Sequence, residues 1–213
     1  LYKAGGGVIT SASTVVNKGS AGSGLIGHWT FDGKNMTNTT ATDISGNGNH
    51  GTLTNMTQSN SKTIGKIGQG LKFNGSTQYL SSGTNMELLN AWTLSAWVKS
   101  TNLSTTGVIV GRGNSSDIMR DYTLYSQSGK FNIQRCDIST CSVASTTATY
   151  SNNTWYHVVG IFDGGTTGTI YVNGVSAGSG TISKTVSTGS RTTYIGVVMD
   201  GGSGLSYYYP GTL

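Results

Sequence analysis

The run Ile170-Tyr171-Val172-Asn173-Gly174-Val175 constrains this chain more than any other feature. Asn173-Gly174 lies between two β-prone runs, and both residues tolerate the positive φ of a type I′ hairpin turn. Just upstream, Trp155-Tyr156-His157-Val158-Val159-Gly160-Ile161-Phe162 reads as a strand, which places a β-meander in the last third of the chain. Trp92 to Lys99 alternates with period two, with Trp92, Leu94, Ala96 and Val98 inward and Trp97 on the opposite face. Further strands are expected at 108–110, 122–126, 131–134, 169–172, 193–197 and 205–209. Leu25 to Phe31 reads as another, and Leu71 to Phe73 with Tyr79-Leu80 reads as a hairpin turning at Asn74-Gly75. No segment of ten or more residues holds a helical period. Short strands punctuated by turns over 213 residues predict an all-β fold, a single two-sheet antiparallel sandwich.

Composition narrows the function. Only 10% of residues are charged and 33 are glycine, yet four tryptophans and eleven tyrosines spaced along Val/Ile/Thr-rich runs argue for a packed domain over a disordered chain. The net charge of +5 comes from thirteen basic residues scattered singly, with no cluster that could track phosphates, so nucleic acid is excluded as partner. No run of eighteen apolar residues exists, so no helical membrane insertion is expected. Residues 1–24 are Gly/Ser/Ala-rich and end in Gly19-Ser20-Ala21-Gly22-Ser23-Gly24, the composition of a flexible leader or linker. The chain opens at Leu1 without a start methionine, as a processed product or fragment would.

Cys136 and Cys141 enclose four residues, a spacing that a disulfide across a hairpin end could close. Two cysteines are too few for a structural zinc site. A disulfide would imply an oxidising, exported setting; a pair of ordinary surface thiols is the alternative.

Seven motifs then fall in order: G-H-W-T-F-D at 27–32, D-I-S-G-N-G-N-H-G at 43–51, G-K-I-G-Q-G-L-K-F-N-G at 65–75, W-T-L-S-A-W-V-K at 92–99, W-Y-H-V-V at 155–159, Y-V-N-G at 171–174 and T-Y-I-G at 193–196. Together they resemble the laminin-G-like, concanavalin A-like jelly-roll domains, over 25–213. The resemblance implies two antiparallel sheets, one convex and one concave, and a closing strand after the G-T-L of 211–213 that this sequence does not contain. Sheets without a closing strand invite a donor strand, and Val8 to Val16 is a candidate. The resemblance also implies a structural Ca²⁺, with ligands from Asp32, Asn74 or the Gly75 carbonyl. A second candidate set is Asp43 with Asn47 and Asn49; the alternative is that these side chains only hold their own loop in Asx turns. Ligands in such domains meet the concave sheet or the loops of one rim. Aromatic side chains stack on sugar faces, which singles out Trp97, Tyr207 and Tyr208. On a strand, Tyr207 and Tyr209 share one face and Tyr208 takes the other, so core packing claims part of the triplet.

Catalysis finds little support. A retaining glycosidase needs two carboxylates about 5–5.5 Å apart, and Asp117 with Asp121 flank a loop-like stretch beside arginines. No G-x-S-x-G elbow accompanies His28, His50 or His157. The expectation is an extracellular, non-catalytic binding or adhesion module whose partner is a glycan or a cell-surface protein. The alternative is a structural subunit of a surface layer or filament built by self-assembly; a glycoside hydrolase is disfavoured.

Overall fold

The computed structural model describes residues 24–84, 86–88, 90–114, 120–186, 188–201 and 204–213. The strand-donor candidate Val8 to Val16, almost all of the expected leader and Asp117 lie outside them. The strands, in chain order, are β1 (Thr40–Ala41), β2 (Gly51–Thr54), β3 (Lys62–Ile64), β4 (Gln69–Asn74), β5 (Tyr79–Ser81), β6 (Trp92–Ser100), β7 (Gly107–Gly113), β8 (Arg120–Gln127), β9 (Lys130–Cys136), β10 (Cys141–Ser145), β11 (Tyr156–Phe162), β12 (Thr167–Val172), β13 (Val175–Thr181), β14 (Thr192–Ile195), β15 (Val198–Met199), β16 (Leu205–Ser206) and β17 (Pro210–Thr212). An eight-stranded sheet runs β1-β2-β5-β14-β7-β8-β9-β10, a seven-stranded sheet runs β13-β12-β11-β6-β17-β4-β3, and β15-β16 is a separate small hairpin. Every ladder is antiparallel, so the predicted two-sheet sandwich is what forms.

The core lies between the sheets. Leu71, Phe73, Leu94, Val98, Val158, Phe162 and Ile170 from one side meet Leu53, Leu80, Ile109, Tyr122, Leu124, Phe131 and Ile133 from the other. The sheets come close where Gly160 of β11 faces Ile133 and where Gly178 of β13 meets the backbone of Ser145, neither leaving room for a Cβ. Asn173 and Gly174 adopt φ of 53° and 82° and turn β12 into β13, the hairpin the dipeptide predicts.

Three local expectations are corrected. Asn74-Gly75 does not make a hairpin, because β4 belongs to the seven-stranded sheet and β5 to the eight-stranded one. Asn74 Oδ1 instead accepts from the backbone N–H of Ser76, Thr77 and Gln78, shaping a crossover between sheets. Leu25 to Phe31 is extended but enters no ladder; its backbone bonds go to the loop at 43–49. The expected strand at 205–209 is split, because Tyr207 turns to φ 62°. Beyond that turn, Pro210–Thr212 enters the interior of the seven-stranded sheet, paired with β4 on one side and with Lys99 and Ser100 of β6 on the other.

Candidate ligand-binding faces

The two outward faces of the sandwich differ in what covers them. Over the eight-stranded sheet, β15 folds back so that Val198 packs on Val108 and Tyr125, a cluster separate from the main core. Beside it opens a cavity of about 140 Å³ lined by Thr106, Val108, Arg120, Tyr125, Gln127, Gln134, Val198 and Tyr207. A shift of register in the β8–β9 ladder, between Arg120 and Thr123, brings Arg120 to the same side as Tyr125. Arg120 is 6% exposed. Its Nη2 pairs with Asp200, Nη1 lies 3.6 Å from Cys136 Sγ, and among the described residues Nε has no partner. Gln127 Nε2 donates to Thr106 Oγ1 at 2.7 Å. Tyr207 stands at the mouth, 43% exposed. A hydrogen bond to Asp200 holds its phenol protonated and pushes its pKa up, with burial and the Asp200 charge acting in the same direction. Burial alone raises the Tyr125 phenol to about 12, against a smaller lowering by Arg120.

Among the described residues no segment covers the outward face of the seven-stranded sheet. Trp97 of β6 and His157 of β11 are cross-strand partners, their rings 5.1 Å apart and tilted by 39°. Asn173 continues the row: its N–H donates to His157 O at 2.8 Å, and its Oδ1 accepts from His157 N at 2.9 Å. Lys66, from the β3–β4 turn, reaches over Trp97 with Nζ 5.6 Å from the ring centroid. With Trp155 and Gly174 these residues line a shallow groove of about 470 Å³.

Sequence-selected aromatics therefore separate: Trp97 lies on one sheet and Tyr207 on the other. Tyr208 turns toward Tyr79, with ring centroids 6.4 Å apart, and serves packing. Tyr209 is fully buried in the core. The positive φ at Tyr207 breaks the alternation that would have put Tyr207 and Tyr209 on one face. Arg120, Tyr125, Gln127, Gln134 and Lys66 were not legible as site residues. The spacing of Trp155, just before β11, and His157, opposite Trp97, was the signal that could have extended the Trp97 site.

The proposed metal ligands divide in the same way. Asp32 Oδ1 accepts from Gln69 N at 3.0 Å, at the start of β4. Asn74 and Gly75 lie at the other end, about 17 Å along the strand, so the three do not form one ligand set. Asp43, Asn47 and Asn49 do come together. The Asp43 carboxylate accepts from His28 N, Ser45 N, Ser45 Oγ and Asn49 N, all at 2.8–2.9 Å. Desolvation raises its pKa, but the hydrogen bonds from Ser45, His28 and Asn49 together outweigh this and hold it below the ordinary carboxylate value. The Asn47 and Asn49 amides donate to Leu25 O and Ile26 O at 2.6 and 2.8 Å. A carboxylate has about four lone-pair directions, and here donors take them, so this loop is arranged to hold residues 25–29. Among the described residues no group of three or more His, Cys, Asp and Glu side chains stands ready for a metal.

Cys136 and Cys141 are cross-strand partners in the β9–β10 ladder and form a disulfide. Asp121 and Glu87 both approach Arg112, but Asp121 is fully buried and also pairs with Arg191, so it cannot reach a substrate. Arg112 Nη2 donates to Thr84 O and Gly189 O, which makes this cluster a clamp on two loops. Ser95 Oγ and His157 Nε2 lie 2.9 Å apart on the open face. No carboxylate among the described residues is hydrogen-bonded to that ring, so the third member of a nucleophilic triad is absent there.

Comparison with known proteins agrees with this architecture. No curated protein matches the chain by sequence. Among solved structures, domain 4 of AbnA, an extracellular GH43 arabinanase of Geobacillus stearothermophilus, in complex with arabinotriose, superposes with a TM-score of 0.65 at 21% identity, over 88% of each chain. The Ruminococcus gnavus IT-sialidase CBM40 bound to α2,3-sialyllactose gives 0.53 at 13% identity, over 68% of this chain and 85% of that one. The binding domain of botulinum neurotoxin DC in complex with SialylT gives 0.54 at 13%, over 80% of this chain and 43% of that one. At such identities these likenesses establish the fold. The laminin-G profile described as the concanavalin A-like lectin/glucanases superfamily matches residues 74–213, two thirds of the sequence, and the chain belongs to that superfamily.

Proposed function

We propose that the protein is a secreted, non-catalytic glycan-binding module whose ligand enters the cavity on the outward face of the eight-stranded sheet. One observation carries the reading. An exposed tyrosine, Tyr207, is held at a strained positive φ over a cavity walled by a guanidinium, two primary amides and a second phenol. Strain of this kind in a bulky residue costs on the order of 1–3 kcal/mol and concentrates at ligand sites. A sugar needs what this cavity offers: an aromatic face for its C–H side, and planar donors and acceptors for its hydroxyls. Gln127, Gln134 and Arg120 supply the second, Tyr207 the first. The disulfide accords with export, and domain 4 of the arabinanase and the sialidase CBM40, which share the fold, were solved with arabinotriose and sialyllactose.

Titration of immobilised arabino- and sialo-oligosaccharides, following a glycan array, tests this. Tyr207→Ala is expected to weaken the selected ligand about tenfold, the loss of one aromatic stacking contact. Gln134→Ala is expected to weaken it less, with both variants retaining the wild-type melting temperature. Unchanged affinity in Tyr207→Ala would place the ligand elsewhere.

A further inference from the structure

We infer that the outward face of the seven-stranded sheet is a second binding site, separate from the Tyr207 cavity, and that it takes an acidic oligosaccharide. The first support is an uncompensated row of cations. Lys72 of β4 pairs with Thr212 of β17, and Thr212 pairs with Lys99 of β6. Directly opposite residues on adjacent strands project to the same side, so Lys72 and Lys99 stand on one face, two strand spacings or about 10 Å apart. Trp97 is two residues before Lys99 on β6 and shares that face, and Lys66 is carried over its ring. Among the described residues no carboxylate is paired with Lys66, Lys72 or Lys99; the ion pairs formed by other residues all lie elsewhere. Asp32, beside the start of β4, is fixed by a hydrogen bond from Gln69 N and brings one negative charge to this end of the sheet against three lysines. A ligand bringing its own negative charge completes what the protein leaves unbalanced.

The second support is the groove beside the lysines. Trp97, Trp155 and His157 give it flat aromatic surface, and Asn173 and the Ser95–His157 pair border it with groups able to bond hydroxyls. This combination separates a charged sugar chain from the other common polyanion. Nucleic-acid affinity comes from many phosphate contacts, about six to ten in complexes with steep salt dependence, whereas this face carries three lysines. Rows of uronate or sulfate groups on pyranose rings match both the sparse charge and the aromatic platform. With the Tyr207 cavity on the opposite sheet, one molecule could hold two glycan chains at once.

The test uses oligogalacturonide and its fully methyl-esterified, uncharged counterpart, titrated calorimetrically into wild-type protein, Lys66→Gln/Lys99→Gln and Tyr207→Ala. The acid form is expected to bind at least tenfold more tightly than the ester. A fourfold rise in salt should weaken it by about tenfold. The double lysine variant, changed only at surface positions, should lose about tenfold in affinity at an unchanged melting temperature, while Tyr207→Ala binds like wild type. Equal binding of acid and ester overturns the charge argument, and no binding of either overturns the site. Loss of uronate binding in Tyr207→Ala would assign the ligand to the other sheet. Displacement by single-stranded DNA at equal charge concentration would overturn the choice of a saccharide. A neutral glycan whose binding depends on Tyr207 and ignores Lys66 and Lys99 would leave the first site standing whatever the result here.

Discussion

The central strands of the two sheets make opposite use of the same geometry. In β8 every residue from Arg120 to Ser126 is buried, on both faces, whereas β6 alternates buried Trp92, Leu94 and Val98 with exposed Thr93 and Ser95. The difference lies outside the strands. Val198 of β15 and Tyr207 fold over the eight-stranded sheet and cover part of its outward face, so polar residues there must find protein partners. Among the described residues the seven-stranded sheet has no such cover, and its outward side chains answer to solvent or ligand. One face is thus structural with a cavity cut into it; the other is a surface.

The largest predicted effect tests the inward side of the eight-stranded sheet, where Arg112 shares a face with Thr193 and Tyr122. Asp121→Ala removes the partner of two buried guanidiniums, Arg112 and Arg191. Leaving charges buried and unpaired costs about 3–5 kcal/mol. Denaturant unfolding should show a loss of that size, with the 84–87 and 189–191 loops released first in hydrogen exchange. A loss below about 1 kcal/mol would mean that the cluster is hydrated and this end of the sandwich open to water.

Next in size, counted for each phenol, is the response to alkali. Tyr122 points into the core and Tyr125 to the outward side of the same strand, yet burial raises both phenols to about 12. A raised folded-state value means that the unfolded chain loses its proton first, near pH 10. The stability these phenols contribute is therefore complete below about pH 10 and lost as pH climbs toward 12, at roughly 1.4 kcal/mol per pH unit for each group. Spectrophotometric titration of the folded protein checks the sign. If one of the two ionised near 10, the strand would be wet on that face, and the comparison would fail.

How much of this could be read from the sequence follows from the same contrast. Trp92 to Lys99 has one side in the core and one in the open, so its period of two was visible, and so was the inward and outward assignment of Trp97. Asn173-Gly174 was legible because a turn needing positive φ at two positions depends only on local chemistry. Asn74-Gly75 misled for that reason: the dipeptide fixes a turn but not the sheet to which the next strand goes. Arg120-Asp121-Tyr122-Thr123 shows no pattern because a register shift and an overlying segment place polar groups on both buried sides. The cavity residues were invisible for the same reason, since nothing local to Gln127 or Gln134 announces that Tyr207 will fold over them. Tyr207 itself drew attention as an aromatic, but its strained backbone, which sets it at the cavity mouth, arises only in the folded chain.

The disulfide should rank third. Cys136 and Cys141 close a loop of a few residues at the β9–β10 turn, and so short a loop restricts the unfolded chain by about 2 kcal/mol. Cys136→Ser/Cys141→Ser should show that loss. It should also weaken binding in the Tyr207 cavity more than in the lysine groove, because Arg120 rests its Nη1 against the sulfurs. Equal effects on the two sites would separate the disulfide from the cavity.

The smallest expected effect is the sharpest test of the open side. Ser95→Ala removes the 2.9 Å contact to His157 Nε2, leaving His157 stacked on Trp97 and its backbone bonded to Asn173 at both ends. Ser95 is exposed and its hydroxyl exchanges freely with water, so stability should change by no more than about 0.5 kcal/mol, a melting shift of roughly 1–2 °C for a chain of this size. The same substitution should reduce oligogalacturonide affinity about threefold by freeing the imidazole to rotate out of the groove. A melting shift several times larger would show that this face is structurally coupled to the core. No change in either quantity would remove the Ser95–His157 pair from the groove, leaving the lysines and tryptophans to hold the ligand alone.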